Sequence, residues 1–150
     1  MSTYSFLDVN AAISGVGGSV ILGNGSGAAE EGITIAMVDD KSAMTIGADG
    51  QGMHSLSGSR AATVTCRFLK TSPVNALLMA MYNLQTASSV THGRNTIVVT
   101  DFGRGDTITM TGVAFKKAPD INYAKDGGTH EWTFDAINVV HVLGIGVPEV

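Results

Sequence analysis

Turn-forming clusters rich in glycine and aspartate divide this chain into short segments in which apolar and polar residues alternate. The clearest alternation runs over Thr63–Leu69, where Val64, Cys66 and Phe68 form the apolar side. A period of two is typical of a β-strand with one buried face. The turn clusters lie at Asn24–Gly25, Asp39–Lys41, Asp49–Gly50, Gly103–Asp106 and Asp126–Gly128. The pattern predicts antiparallel strands joined by tight turns.

Four further segments have strand character. Ile33–Val38 is rich in β-branched residues, and Thr96–Phe102 with Asp106–Phe115 predicts a hairpin across the glycine turn. Glu131–Val140 alternates so that Trp132 and Phe134 point inward, and we expect both residues in the core.

One helix is predicted at about 72–85. Ser72 is a favourable N-cap and Pro73 suits the first helical position. A stripe with helical spacing follows, and it predicts four core residues: Val74, Leu77, Leu78 and Met81. Met79 and Tyr82 widen the apolar arc. Either the helix simply covers the sheet, or these two residues also contact a neighbouring chain.

The composition limits the function classes. Only 15% of the 150 residues are charged, against roughly 25% in ordinary soluble domains, and the length fits one domain, 1–150. With Cys66 as the only cysteine, we expect neither disulfides nor a thiolate metal cluster. The formal net charge of −4 argues against tight nucleic-acid binding, and the longest uncharged apolar stretch is too short for a membrane helix.

No catalytic constellation is recognisable. The four histidines are widely separated, and the sequence contains neither a zinc-binding motif nor a paired-carboxylate pattern. Asp101–Gly103 spells a kinase motif, but no kinase glycine loop, strand lysine or catalytic loop accompanies it and the chain is too short for a kinase. Arg104–Asp106 spells an integrin-binding motif, but it lies where a hairpin needs turn residues. We therefore expect no enzyme, no metal and no cofactor.

Two regions favour an obligate assembly. Asp40–Ser59 predicts a loop near twenty residues long, far above the usual ~4–6. Ile137–Val147 is apolar and β-branched, and it would aggregate as an exposed edge strand unless it pairs, although it could equally be a central strand. From this second region we take Val139 and Val142, with Met79 and Tyr82, as candidate subunit-interface residues.

Four segments carry a resemblance to a known family. They are Ser5–Asn10, Lys70–Asn75, Gly112–Asp120 and Glu131–Asp135. In order and spacing, over roughly Tyr4–Leu143, they resemble the tail tube protein of contractile-tailed bacteriophages of the myovirus type.

The resemblance implies a mainly β protein: an antiparallel β-sandwich or barrel with one flanking helix. It also implies that six copies form a homohexameric ring. Stacked rings would form the inner tail tube of a virion, made in the host cytoplasm, through which DNA and the tape-measure protein pass without specific binding. The sheath, baseplate and tail terminator proteins would be partners. The segment at about 40–59 matches a loop that reaches the adjacent ring, with Met44, Ile46, Asp49, Met53 and Leu56 as contact candidates.

A tube that conducts DNA needs a lumen without clustered lysine or arginine. The candidate lumen residues are acidic or small and polar: Asp39, Asp40, Asp106, Thr107, Thr109 and Thr111. Alternatively, the three threonines face the sheath.

Two other functions remain as alternatives. One is a tube protein of a tailocin or secretion system, which has the same architecture. The other is an all-β binding module, which would normally expose aromatic residues, whereas this chain has 1 Trp and 3 Tyr.

Overall fold

A computed structural model of the chain describes residues 3–23, 25 and 27–145. Its strands are β1 (Val9–Gly15), β2 (Gly18–Ile21), β3 (Ala28–Met37), β4 (Ser42–Ile46), β5 (Gly52–Leu56), β6 (Ala62–Leu69), β7 (Asn95–Asp101), β8 (Asp106–Lys117) and β9 (Thr129–Val142). A short 3-10 helix (Phe6–Asp8) precedes β1, and the α-helix α1 (Val74–Gln85) lies between β6 and β7. The predicted mainly antiparallel fold with a single helix is confirmed.

Seven strands form one sheet in the order β2-β1-β7-β8-β9-β6-β3. Every neighbouring pair in it is antiparallel. Within the described residues no pairing joins β2 to β3, so the sheet has two open edges. β4 and β5 form a separate two-stranded hairpin.

In the two longest strands, β8 and β9, the alternation of inward and outward residues shifts by one residue, and the two shifts lie side by side in the sheet. We call this shift the slip. In β8, Met110 and Val113 are both buried although they are three residues apart, and in β9 the same holds for Ala136 and Val139. Gly112 adopts a φ of 63°, which suits glycine, and the β7–β8 register shifts beside it. Such a bulge bends a strand, so β8 and β9 each contribute to two differently oriented parts of the sheet.

The bend lets the sheet fold over one core. The first half comprises β2, β1, β7 and the turn-proximal ends of β8 and β9, and the second comprises the remaining parts of β8 and β9 with β6 and β3. Inward residues from both halves, such as Ile13 and Leu22 from the first and Phe68 and Phe134 from the second, form a single hydrophobic cluster. The halves therefore pack face to face, and their outer faces point in opposite directions.

Aromatic rings fill the core of the second half. Phe115 lies with its ring centroid 4.9 Å from that of Phe134, 5.9 Å from that of Trp132 and 5.7 Å from that of Tyr82. Trp132 is fully buried, and its Nε1 donates a hydrogen bond to Asn75 Oδ1 at 3.1 Å. Burying the indole therefore leaves its polar group satisfied.

Helix α1 begins close to its predicted start. Pro73 has helical angles, and the Ser72 hydroxyl accepts a hydrogen bond from the Val74 N–H at 3.3 Å. Val74, Leu78 and Met81 are buried as expected, and Gln85 continues their line. Leu77 is a correction, because it is 53% exposed. The buried arc is turned toward Met79 and Tyr82, which pack partly against the core, and away from the side that carries Leu77.

The segment from Asp40 to Ser59 is not an irregular loop. It contains the β4–β5 hairpin, whose turn is stabilised by a Gly47 N–H to Gln51 O hydrogen bond of 2.7 Å and by Asp49 Oδ1, which accepts the Gln51 N–H at 3.1 Å. All ten strand positions are exposed. Since neither face of this hairpin is buried in the subunit, its sequence carries no alternation that would reveal the strands.

The segment Ile137–Val147 is mostly strand as far as the structure describes it. β9 lies between β8 and β6 up to Ala136, and beyond that residue it pairs with β8, with one bridge from Arg60 to Asn138. Val139 is 4% exposed, so its assignment to a subunit interface is wrong. The slip in β9 turns it inward, whereas Val142 is 57% exposed. Residues 146 and 147 lie outside the described range.

A buried amide pair connects α1 to the sheet. Gln85 and Asn95 are each 1% exposed and exchange two hydrogen bonds of 2.8 and 2.6 Å, and Gln85 Nε2 also donates to Val16 O at 2.7 Å. A side chain on Gly15 would collide with Asn95 Oδ1. Nothing in the sequence pattern distinguished these two polar residues from surface ones.

Replacing Gln85 with alanine should destabilise the subunit by about 1–3 kcal/mol or more, because the Asn95 amide and the Val16 carbonyl lose their buried partner. The measurement is denaturant unfolding followed by circular dichroism. Gln51→Ala, on the exposed hairpin, is the matched control and should change little. Equal unfolding midpoints for the two variants would contradict the role assigned to the amide pair.

Cys66 should not react with thiol reagents in the native protein. It is fully buried, and this burial raises its pKa to about 12, so the reactive thiolate is scarce at pH 7–9. Because the folded-state pKa lies above that of an unfolded cysteine, ionisation of the thiol favours unfolding as the pH rises. We expect disulfide-exchange reagents to label the denatured chain fully and the native chain hardly at all at pH 8. Equal rates in both states would show that Cys66 is accessible.

Candidate assembly surfaces

The outer face of the first half carries no charged side chain at its outward strand positions, and we call it the neutral face. Its central row crosses five strands in cross-strand register: Ile21, Ala12, Val98, Thr109 and Val140. The row beside it consists of Asn10, Thr100, Thr107 and Val142. On the other side lie Ser19, Ser14, Thr96, Thr111 and Asn138. An apolar stripe is thus flanked by hydroxyl and amide groups.

The outer face of the second half is different, and we call it the mixed face. It presents Thr34, Ala36, Thr63, Thr65, Arg67, Ala114, Lys117, Glu131, Thr133 and Asp135. Arg67 Nε lies 3.3 Å from Glu131 Oε2 in a partly exposed ion pair. Such a mixture of charged and polar residues is typical of a solvated sheet face.

The structure does not bring the candidate lumen residues together. Thr107, Thr109 and Thr111 share the neutral face, but Asp106 alternates to the opposite side, where its Oδ1 accepts the Gly144 N–H at 2.9 Å. Asp39 and Asp40 are exposed in the connection between β3 and β4. Only the threonines of this set therefore form a common surface.

The hairpin presents apolar side chains to solvent. Met44, Ile46 and Leu56 share one face by register and are 66%, 55% and 85% exposed. Met53 lies on the other face and is 59% exposed, and Asp49 is in the turn. A two-stranded hairpin alone is marginally stable in water, so an exposed apolar face on it indicates a docking element.

Two strand edges in the second half lack a partner among the described residues. β3 pairs with β6 on one side and has none on the other, and β8 beyond Val113 pairs with β9 but not with β7. These are the two ends of the same half-sheet. Open edges template pairing with another chain.

The glycine turn between β7 and β8 holds the amino-terminal segment. Arg104 contacts Asp101 Oδ2 at 3.3 Å, donates to Thr3 O at 3.1 Å and lies 4.7 Å from the Tyr4 ring centroid. Around this turn Phe102, Leu143 and Ile145 are 74%, 72% and 99% exposed. The tripeptide Arg104–Asp106 therefore makes tertiary contacts with Thr3, Tyr4 and Gly144, which the sequence pattern did not indicate.

The described residues contain no group of three or more His, Cys, Asp or Glu arranged to hold a metal ion. In the same part of the chain, no helix has the length and apolar character to cross a bilayer.

Comparison with known proteins agrees with this description. The family model for the bacteriophage PhiTE tail tube protein matches residues 1–144. No curated protein is significantly similar in sequence.

The fold is similar to subunits of contractile particles. The tube-terminating cap of the anti-feeding prophage superposes with a TM-score of 0.60 at 11% identity, covering 96% of this chain and 93% of that chain. The sheath/tube terminator of the extracellular contractile injection system PVC gives 0.58 at 11% identity, covering 95% and 98%. A chain of the PVC sheath-tube complex gives 0.54 at 12% identity, covering 89% and 88%. The family match over nearly the whole chain leads to one conclusion: the chain belongs to the bacteriophage PhiTE tail tube protein family.

Proposed function

We propose that this tail tube protein forms rings of six subunits that stack into the inner tube of a phage tail, a conduit for DNA during ejection. The observation that carries this proposal is the pair of unpaired edges, β3 and the end of β8, at opposite ends of one half-sheet. Two different edges that pair with each other give a heterologous contact, which closes into a ring when the rotation fits. Six copies at a net charge of −4 each would give the ring a negative charge that repels DNA.

The hairpin is the proposed contact between stacked rings. Met44, Ile46 and Leu56 would bury their apolar face against the next ring, with Met53 and Asp49 contributing from the other face and the turn. Burying apolar surface stabilises association by roughly 25 cal/mol per Å² before the entropic cost of binding.

The subunit would also contact other particle proteins. The sheath, baseplate and tail terminator are proposed partners, since the similar solved structures are tube, terminator and baseplate assemblies. DNA and the tape-measure protein would pass through the lumen. Exposed Val142 and the half-buried Met79 and Tyr82 remain candidates for contacts between subunits, although Tyr82 also packs on Phe115 of its own chain.

Electron microscopy of the purified protein tests the ring. We expect sixfold class averages and hollow tubes, because ring formation pairs the open edge of β3 with the open edge at the end of β8. Rings of another symmetry would contradict the hexamer. A protein that stays monomeric even when seeded with the particle's baseplate would contradict self-assembly.

Charges placed on the apolar face of the hairpin test the stacking contact. Met44→Asp with Leu56→Asp should leave rings intact and reduce tubes to single rings, because two carboxylates would be buried unpaired between rings. Ala87→Asp with Ser89→Asp, two exposed positions in the connection between α1 and β7, adds the same charge outside the hairpin, and this matched control should form tubes. Deleting Met44–Ser57 should likewise spare the fold and abolish stacking. Long tubes from the Met44/Leu56 variant would exclude this face from the ring contact.

A further inference from the structure

The strands of the second half of the sheet end at two opposite poles, and the hairpin projects from one of them. It connects β3 to β6 and leaves the sheet where β6 begins at Ala62. At the other pole, β6 finishes at Leu69 beside the start of β9. The segment that follows β8 also lies there, because the Lys70 N–H donates to Gly128 O at 3.0 Å. We give the name lysine end to three pieces of chain at this second pole: Leu69, Lys70 and Lys116–Gly128.

The two poles carry opposite charges. The chain from Asp39 to Ser57, which contains the hairpin, has three aspartates and one lysine, a formal charge of −2. The lysine end has two aspartates and four of the nine basic residues of the chain, a formal charge of +2. Beside it, Arg67 and Glu131 compensate each other in their ion pair. Surfaces of opposite charge are suited to contact one another.

The lysine end also exposes apolar side chains. Leu69, Ile121 and Tyr123 are 48%, 52% and 85% exposed. The Lys70 Nζ lies 4.1 Å from the Tyr123 ring centroid and donates a hydrogen bond to Asn122 O. Although this part of the chain forms neither helix nor strand, these contacts attach it to the end of β6. The lysine end therefore combines apolar and charged groups, as the hairpin does.

Ring formation would turn the two poles toward the neighbouring rings. Hydrogen bonds between strands run roughly perpendicular to the strands, so pairing β3 with the end of β8 extends the sheet around the ring. The strands of this half then run from one rim of the ring to the other, with a tilt as in closed barrels. The hairpin lies at one rim and the lysine end at the other. When identical rings stack in the same orientation, each hairpin faces the lysine end of the next ring.

We propose that the hairpin of each subunit docks on the lysine end of a subunit in the next ring. The apolar face of the hairpin would meet the exposed apolar side chains of the lysine end, and the aspartates at its base and turn would meet the lysines. This inference rests on the proposed tube function and adds the second surface of the stacking contact. One exposed ion pair is weak, but six identical contacts act together between two rings. Stacking in a single orientation follows, because two hairpin rims would bring like charges together.

Charge reversal tests this pairing. Asp39→Lys with Asp40→Lys makes the hairpin side positive, and Lys116→Glu with Lys125→Glu makes the lysine end negative; all four positions are exposed. We expect each reversal alone to leave sixfold rings intact and to shorten the tubes at least tenfold in electron micrographs at low ionic strength. All four substitutions together should restore tubes to within about twofold of the original length, because opposite charges face each other again.

A matched control separates local pairing from net charge. Asp39→Lys with Asp40→Lys is combined with Ala87→Asp and Ser89→Asp, which restore negative charge in the connection between α1 and β7. This combination should not restore tubes. Tubes of the original length from either reversal alone would overturn the inference. So would intact rings of the fourfold variant that stack no better than those of the single reversals.

Cross-linking tests the same contact if a reversal impairs ring formation. Gln51→Cys at the hairpin turn and Ala124→Cys at the lysine end both replace exposed residues, and the native Cys66 is fully buried. In tubes of the double variant, a bis-maleimide with a flexible spacer should give covalent chains of more than six subunits, because each link leads to the next ring. Each single variant should give no such chains. Tubes of the double variant without them would overturn the inference.

The outcomes separate this inference from the proposed function. Failure of the unmodified chain to form stacked rings would remove both. Tubes that require the apolar side chains of Met44 and Leu56 but tolerate both charge reversals, and that give no long cross-linked chains, would remove only the inference.

Discussion

A one-residue slip shared by β8 and β9 determines how the sheet is arranged. At Gly112 and at its cross-strand neighbour Ile137 the alternation of inward and outward residues restarts, so both strands carry buried residues three apart. Without the slip, the side chains on one side of each strand would point into the core along only part of the strand, and those on the rest of that side would point away from it. With it, a single sheet folds over one core and gains two outer faces whose compositions are independent of each other.

The sequence pattern predicted those elements that bury one face against the core. β6, the β7–β8 hairpin, the first part of β9 and α1 all show a clear period, because burial of one side selects apolar residues at regular positions. The slip explains why Val139 was placed wrongly: a regular alternation continued from Trp132 through Phe134 puts it on the outside. The prediction that Leu77 lies in the core is wrong for a similar reason. A stripe of apolar residues shows which arc of the helix is apolar, but it does not show which side of that arc packs against the sheet.

Other features left no periodic signal. The β4–β5 hairpin buries neither face within the subunit, so its apolar residues appear scattered along the chain, and only the cross-strand register puts Met44, Ile46 and Leu56 on one side. The Gln85–Asn95 pair depends on two residues that meet only in the folded state. Surfaces built from several strands, such as the neutral face, likewise depend on the strand order, which the residue periodicity within each strand does not reveal.

The low charge of the chain is unevenly distributed, and that distribution is informative. Only 15% of the residues are charged, and an even spread of them would leave both outer faces sparsely charged. Instead, the mixed face carries an ion pair, and the neutral face carries no charged side chain at its outward strand positions. Solubility of an isolated subunit would favour charges on both faces, and open strand edges would be a liability for it. Tolerance of both features in one subunit is expected when the edges are paired and the uncharged face is covered in the finished particle. Both features fit a subunit that functions within an assembly, as the proposed tube requires.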